Sequence, residues 1–360
     1  MKKTKLAIIG TNGVPAQYGG FETLVENLVE CLSQQFDITV YCSKSQKSRI
    51  KEYKGARLRY IPLSANRAQG ILYDALCLFI TRKKYDQVLV LGIGSIVGMY
   101  LCRKYGYKYT LNIGGIDWRR DKWGRVAKWY IHTAEKGAIP VCSRIVSDNE
   151  GIRSYIKDTY GKDSYLIEYG GDQVTKEPIT EVLLQKYSFL KRKYALVVAR
   201  IQSDNNIEMS ILGARKAGYP LVVVGNWNFT EYGIRLREKY QNCENLYLLD
   251  AIYDQKELNV LRSNTSMYIH GHSGGGTNPS LVEAMFLDVP ILCFNNGYNN
   301  NTTESAAFYY KDAQELSELL KGLTYEQIEK EKKDMAEIAH RRYTWKRIAE
   351  EYARVINDCN

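Results

Sequence analysis

The sequence predicts an α/β protein of two doubly wound domains, each a parallel sheet covered by helices on both faces. Three observations carry this. Short β-rich runs alternate with helical patterns almost from end to end, the signature of βαβ units. Strand runs such as Leu-Val-Val-Val at 221–224 are apolar throughout, as strands buried on both faces must be. The alternation restarts after a polar, charged stretch at 172–193, and 360 residues suffice for two cores. A first domain is expected over 1–172 and a second from 173 onward.

In the first half the pattern predicts strands at 5–10, 37–42, 57–63, 87–92, 107–112, 139–142 and 165–168. Helices are predicted at 21–33, 70–83, 122–135 and 150–160; Leu24, Leu28 and Cys31 share one face of the first. The second half predicts strands at 194–199, 221–224, 246–249, 266–269 and 290–294. Its helices are expected at 207–217, 232–240, 255–263, 279–287 and 313–320, with mostly helix thereafter. Ligands of open α/β sheets bind outside the carboxyl ends of the strands. The cleft between two such domains is therefore the expected site.

Composition narrows the class. Apolar residues make up 45% and charged residues 25%, a globular rather than disordered balance. The net charge of +10 is unevenly spread. Residues 1–172 hold 27 Lys+Arg against 16 Asp+Glu, and residues 173–360 hold 23 against 24. A basic first half attracts nucleic acid, anionic lipid or phosphorylated substrates, or is simply a soluble basic surface. The eight cysteines form no CxxC pair, which predicts reduced core thiols in a cytosolic protein rather than a zinc site or disulfide frame. The apolar run at 6–9 is too short for a signal peptide, and the stretch at 87–102 is too short to span a bilayer. The expected location is the cytosol, or a membrane reached from its cytosolic side.

Two loops can bind anions. The run His272-Ser-Gly-Gly-Gly-Thr-Asn-Pro-Ser-Leu-Val-Glu283 follows a strand and opens a helix. Glycines let main-chain amides approach a ligand, Pro279 suits a first helical turn, and the helix dipole favours a diphosphate there. Glu283, one turn in, can accept hydrogen bonds from sugar hydroxyls. The alternative is a tight turn with a solvated glutamate. The second loop, Gly10 to Glu22, presents Gly19-Gly20 at another helix start; an ordinary strand–helix connection reads the same way. It is not GxGxxG, and the second strand ends at Ser43 with no acid to hold a ribose, which argues against NAD. The glycines at 92–98 miss the same pattern and read as strand–helix packing.

Arg200 ends a strand and can offer donors to phosphate, or be a surface arginine. Asp117 follows a strand, where a general base or hydroxyl-orienting carboxylate would sit. Trp118, Trp123 and Trp129 alternate with Arg119, Arg120, Lys122, Arg125 and Lys128. That mixture suits a lipid headgroup region or lipid-linked phosphate, and equally the packed face of an amphipathic helix. The histidines form no metal constellation; His270 and His272 lie where a ligand would be touched.

The blocks Gly10–Glu22 and Gly271–Met285 make the chain resemble the GT-B glycosyltransferases of family 4, more narrowly the bacterial rhamnosyltransferases that build capsule and cell-wall rhamnan. Gly115-Ile-Asp-Trp-Arg-Arg, Val146-Ser-Asp-Asn149 and Ala199–Asn206 fit the same group. The resemblance implies two Rossmann-like domains facing across a cleft, with the nucleotide-sugar donor on the second and the acceptor on the first. It implies a donor domain over 173–342 and a closing helix over 343–360 packing back on the first. It also implies metal-independent transfer with retention and no cofactor. By position, Arg200 would neutralise the leaving diphosphate, Glu283 would hold the nucleotide-sugar, and Gly19 and Gly20 would frame the phosphates. Three positions depart from the broad family: Gly275 replaces a glutamate, Asn205 a lysine and Asp117 a histidine.

The expected catalytic residues are Asp117, Arg200 and Glu283. Donor binding is expected from Gly19, Gly20, Arg200, Asn205, His272, Gly275, Gly276, Thr277, Asn278 and Glu283. Acceptor binding is expected from Tyr18, Phe21, Asp117, Trp118, Arg119 and Arg120. The expected reaction moves L-rhamnose from dTDP-L-rhamnose to a polyprenyl-pyrophosphate-linked saccharide. It takes place on the inner, anionic face of the cell membrane, without nucleic acid. The same fold with a UDP-hexose donor, a sugar-nucleotide epimerase, and a non-enzymatic basic membrane- or nucleic-acid-binding protein are the alternatives.

Overall fold

The apolar run behind the basic N-terminus becomes β1 (Thr4–Ile9), a central strand of an eight-stranded sheet. The computed structural model describes residues 3–16, 19–65, 68–93, 96–106, 109–120 and 123–358. Contacts divide the chain into two units, Met1–Tyr169 with Trp345–Asn360, and Gly170–Thr344.

In the first unit β1 is followed by α1 (Gly20–Leu32), β2 (Phe36–Ser43), β3 (Glu52–Tyr53), β4 (Ala56–Ile61) and α2 (Ala68–Thr81). Then come β5 (Gln87–Leu91), α3 (Ile96–Tyr105), β6 (Thr110–Ile113), α4 (Arg125–Ala138), β7 (Arg144–Ser147), α5 (Glu150–Tyr160) and β8 (Tyr165–Leu166). The strand order is β3-β4-β2-β1-β5-β6-β7-β8. Apart from the β3–β4 hairpin, all pairings are parallel. β1 pairs with both β2 and β5, so the order reverses there, at the point where such sheets bind ligands.

The second unit runs α6 (Glu181–Lys186), β9 (Ala195–Val198), α7 (Ile207–Ala217), β10 (Leu221–Val224), α8 (Glu231–Tyr240), β11 (Leu246–Leu249) and α9 (Gln255–Ser263). It continues with β12 (Met267–His270), α10 (Pro279–Met285), β13 (Ile291–Phe294), α11 (Gly297–Thr302), β14 (Phe308–Tyr310), α12 (Ala313–Gly322) and α13 (Tyr325–Arg342). Its sheet is wholly parallel, in the order β11-β10-β9-β12-β13-β14. The order reverses between β9 and β12.

The last helix, α14 (Trp345–Asn357), belongs to the first unit. Its apolar positions recur at three and four residues: Trp345, Ile348, Ala349, Tyr352, Val355 and Ile356. That stripe packs with Leu24, Val25 and Leu28 of α1 in one core. Each such large side chain taken from water contributes about 1.5–3 kcal/mol.

The strand expected at 139–142 is instead the turn that ends α4. The N–H groups of Val141 and Cys142 both bond back to the Ala138 carbonyl, and Pro140, having no N–H, suits a turn better than a ladder. The strand is β7, whose Arg144 and Ser147 disguise an apolar middle. α3 forms where the glycines at 92–98 suggest only strand–helix packing, and β14 supplies a sixth strand to the second sheet.

Candidate functional site

In the second unit the residues expected to bind the donor gather at the carboxyl ends of β9 and β12. His272 Nδ1 lies 2.8 Å from Asn205 Oδ1. Asn205 Nδ2 donates to the Arg200 carbonyl (2.8 Å), and Asn206 Nδ2 donates to the Gly271 carbonyl (2.8 Å). Ser273 donates through both its N–H and its hydroxyl to the Asp204 carbonyl. On the other side, Asn296 and Asn299 donate to the His272 carbonyl. The turn after β12 is thus fastened on two sides before the glycines begin.

With the Asn205 amide oxygen as acceptor, the proton of His272 is on Nδ1. His270, two residues earlier at the end of β12, is buried, and burial beside His272 pushes its imidazole down to about 3, so it stays neutral. Its Nε2 has no partner among the described residues.

The glycine turn is shaped by close approach and by handedness. Tyr298 covers Gly275: a Cβ there would lie 3.1 Å from the tyrosine ring. Gly276 takes φ +96°, a conformation that side chains resist. Among the described residues, the N–H groups of Gly274, Gly275 and Gly276 donate to no protein acceptor. Asn278 caps α10 by accepting from the Ser280 N–H (3.0 Å), and Pro279 takes the first helical position. This is a compact set of main-chain donors next to a helix start, as an anion requires. Thr277 is buried beside it.

Glu283 is not a solvated glutamate. Its Oε2 lies 2.5 Å from Nη2 of Arg262 on α9, and both side chains are almost wholly enclosed. Its Oε1 accepts from Nε2 of Gln173 at 2.8 Å. Gln173 is exposed and Arg262 is buried. One carboxylate oxygen is therefore fixed from inside, while the other is held by a side chain that a ligand hydroxyl could replace. Sequence reasoning missed Arg262 and Gln173; an arginine late in an apolar-faced helix gave the only hint. Arg200 lies exposed just beyond β9, its carbonyl tied to Asn205.

The first unit treats its loop differently. Glu22, 8% exposed, turns its carboxylate back onto the loop. Oε1 accepts from the Thr11 hydroxyl (3.0 Å), the Asn12 N–H (2.9 Å) and the Asn12 amide (3.2 Å). Oε2 is so near Gly19 that a Cβ there would fall 2.1 Å from it. The start of α1 at Gly19-Gly20 thus already has a carboxylate beside it, which opposes a second anion and suits a neutral hydroxyl better. Phe21 is packed rather than displayed, its ring against Gly92 and Gly114. Tyr18 lies outside the described residues, as do Asp121 and Lys122.

After β6 a single 3-10 turn spans Asp117–Arg119. Asp117 is half exposed, with Arg120 Nη1 at 3.4 Å. Trp118 stacks on His132 of α4 (4.3 Å, 23°) and donates through Nε1 to the Tyr155 hydroxyl (3.2 Å). Tyr155 and Tyr160 both donate to Glu135. The Arg119 guanidinium lies over both Trp118 and Tyr155. Of the two readings of this block, packing describes Trp118. Trp129, at 67% exposure, is displayed. Among the described residues no cluster of His, Cys, Asp or Glu could hold a metal ion.

Residues 3–172 match a family model described as a domain of unknown function, DUF1972. No curated protein matches the sequence. Among solved structures, sucrose-phosphate synthase from Thermosynechococcus elongatus superposes with TM-score 0.80 at 15% identity, covering 98% of each chain. Anabaena HepE, solved with UDP-glucose, gives 0.74 at 13% identity, over 98% of this chain and 99% of that one. The trehalose-6-phosphate synthase OtsA gives 0.76 at 11% identity, over 99% and 100%. The fold is GT-B. Both doubly wound sheets expected from the sequence are therefore present in a known architecture.

Proposed function

We propose that this GT-B chain is a glycosyltransferase that moves a sugar from a nucleotide-sugar donor to a hydroxyl acceptor. The observation that carries the reading is the turn at Gly274–Gly276, whose N–H groups, without acceptors among the described residues, lead into α10 beside the anchored carboxylate of Glu283. Main-chain donors suit a diphosphate, and a fixed carboxylate suits the vicinal hydroxyls of a sugar. Arg200 adds a cation as the glycosidic bond breaks and negative charge grows on the leaving diphosphate. The anomeric carbon exchanges its bond to the diphosphate oxygen for one to the acceptor oxygen, with retention and without a metal. The acceptor proton leaves with the diphosphate or passes to Asp117.

The acceptor falls to the first unit, through the Asp117–Arg120 turn. We take it to be a polyprenyl-pyrophosphate-linked saccharide at the inner face of the cell membrane, in capsule or cell-wall polysaccharide synthesis. The loop blocks that resemble rhamnosyltransferases support dTDP-L-rhamnose as donor. A second reading, a UDP-hexose donor, is favoured by the UDP-glucose bound in HepE. A panel of dTDP- and UDP-sugars, with nucleotide release measured and products of a lipid-linked acceptor weighed by mass spectrometry, separates them. Acceptor-dependent release with one donor supports sugar transfer; turnover without acceptor indicates an epimerase or hydrolase; no turnover with any donor overturns the reading.

A further inference from the structure

The helices on one side of the first sheet are apolar where they should be polar. Right-handed crossovers carry β4 to β5, β5 to β6 and β6 to β7 in the same direction across the sheet, and β1 to β2 in the opposite one. α2, α3 and α4 therefore cover one face, with α2 beside α3 and α3 beside α4, while α1 and α14 pair on the other. A helix lying on a sheet normally keeps one apolar stripe inward and charges outward. α2 obeys inward, with Tyr73, Cys77 and Leu78 buried. Outward it carries Leu72 and Phe79, two turns apart on one line and both exposed. α3 adds exposed Tyr100 and Tyr105, and α4 adds Val126 at 80% and Trp129 at 67% exposure.

Cations frame this surface. Arg82 places its guanidinium 4.0 Å from the Phe79 ring and 5.5 Å from that of Tyr105, joining the ends of α2 and α3. Lys83, Lys84, Lys104 and Arg125 are exposed. Residues 68–138 hold twelve Lys+Arg against five Asp+Glu. Of those five acids, Glu135 is buried and Asp86 accepts from the Lys5 N–H. Aromatic rings at headgroup depth, aliphatic side chains below them and basic side chains at the phosphates make a surface that matches an anionic bilayer in both polarity and charge. No helix among the described residues is long and apolar enough to cross a membrane.

We propose that the outer face of α2, α3 and α4 docks on anionic phospholipid, seating Leu72, Phe79, Val126 and Trp129 among the headgroups. This locates the membrane contact of the reading above and is independent of the sugar chemistry, because binding to lipid needs no donor. The test is flotation of the full chain with vesicles of phosphatidylglycerol and phosphatidylcholine at low salt, with no nucleotide sugar present. Binding is expected to the mixed vesicles, not to phosphatidylcholine alone. It should fall about tenfold or more in the Leu72→Ser/Trp129→Ser double variant, and by a similar factor in Lys83→Glu/Lys84→Glu. Because all four residues are exposed, unchanged thermal melting is expected and verifies folding. Wild-type chain that stays unbound, or a double variant that binds as well as wild type, overturns the proposal. So does a wild-type dimer that the Leu72→Ser/Trp129→Ser change turns into monomer, since the face would then belong to a second copy.

Discussion

Arg262 Nη2 and Glu283 Oε2 meet at 2.5 Å inside the second unit, and the Nε and Nη1 of Arg262 have no partner among the described residues. The arginine's charge is thus answered by one carboxylate, and that carboxylate by one buried cation. Removing either partner from such a buried pair costs about 3–5 kcal/mol, whereas replacing both with apolar groups can be neutral. Arg262→Met and Glu283→Gln should each lower the melting temperature markedly. Arg262→Met/Glu283→Leu should regain most of the loss in the same melting experiment while releasing no nucleotide. A double variant as unstable as the singles contradicts the pairing.

Asn205 stands where the broad family resembled above has a lysine, and both ends of its amide are engaged. It is 6% exposed, donates through Nδ2 to the Arg200 carbonyl and accepts at Oδ1 from His272 Nδ1. Asn205→Lys breaks both contacts and adds a cation where the loop is closed. Both stability and nucleotide release should fall, the first by about 1–3 kcal/mol for stranded buried polar groups. Improved turnover in that variant would show that the loop opens to admit the longer side chain.

Arg200 is exposed, so its side chain contributes little to folding. Arg200→Ala should leave melting within about 0.5 kcal/mol of wild type. Turnover should drop about 10²–10³-fold if the guanidinium serves the leaving diphosphate. Arg200→Lys, which keeps the charge and loses the fork of donors, should fall between the two. Single-turnover rates measure both.

Glu331 on α13 gives the second unit a dependence on pH. Burial pushes its carboxyl from 4.5 up to about 8; Oε1 accepts from the Ile291 N–H (3.2 Å), and Oε2 has no partner among the described residues. The folded chain keeps a proton that the unfolded chain releases. This contribution is fully present below pH 4.5 and is lost as pH rises through about 8. Glu331→Gln keeps the amide-accepting oxygen and removes the titration. The unfolding free energy from denaturant melts across that window should fall more steeply for wild type than for the variant, by on the order of 1.4 kcal/mol per pH unit.

Where local chemistry decides structure, the sequence is plainly readable. α5 begins at Glu150 because Asn149 caps it and stops at Tyr160 because Gly161 takes the left-handed turn. β10 is Leu-Val-Val-Val and could be little else. The glycine turn at 274–276 was legible because its residues lie together in the chain. Arg262 and Gln173 were not, because they reach Glu283 from 21 and 110 residues away. The Trp/Arg block shows the same limit from the other side. Its composition fits both packing and display; the stacking of His132 on Trp118 and the bond from Trp118 to Tyr155 separate that residue from Trp129. The first loop shows a related limit: Gly19-Gly20 reads as an anion site, but Glu22 folds back onto the loop and sets a carboxylate beside Gly19.

The return of α14 to the first unit sets an order on biogenesis. Leu24, Val25 and Leu28 of α1 share a core with Ile348 and Tyr352, which are translated more than three hundred residues later. As the chain emerges from the ribosome, Gly170–Thr344 is complete while the older half still lacks its last helix. The part made first is the part finished last, and a nascent chain stalled or clipped before Trp345 leaves an oily groove for a chaperone or protease to find.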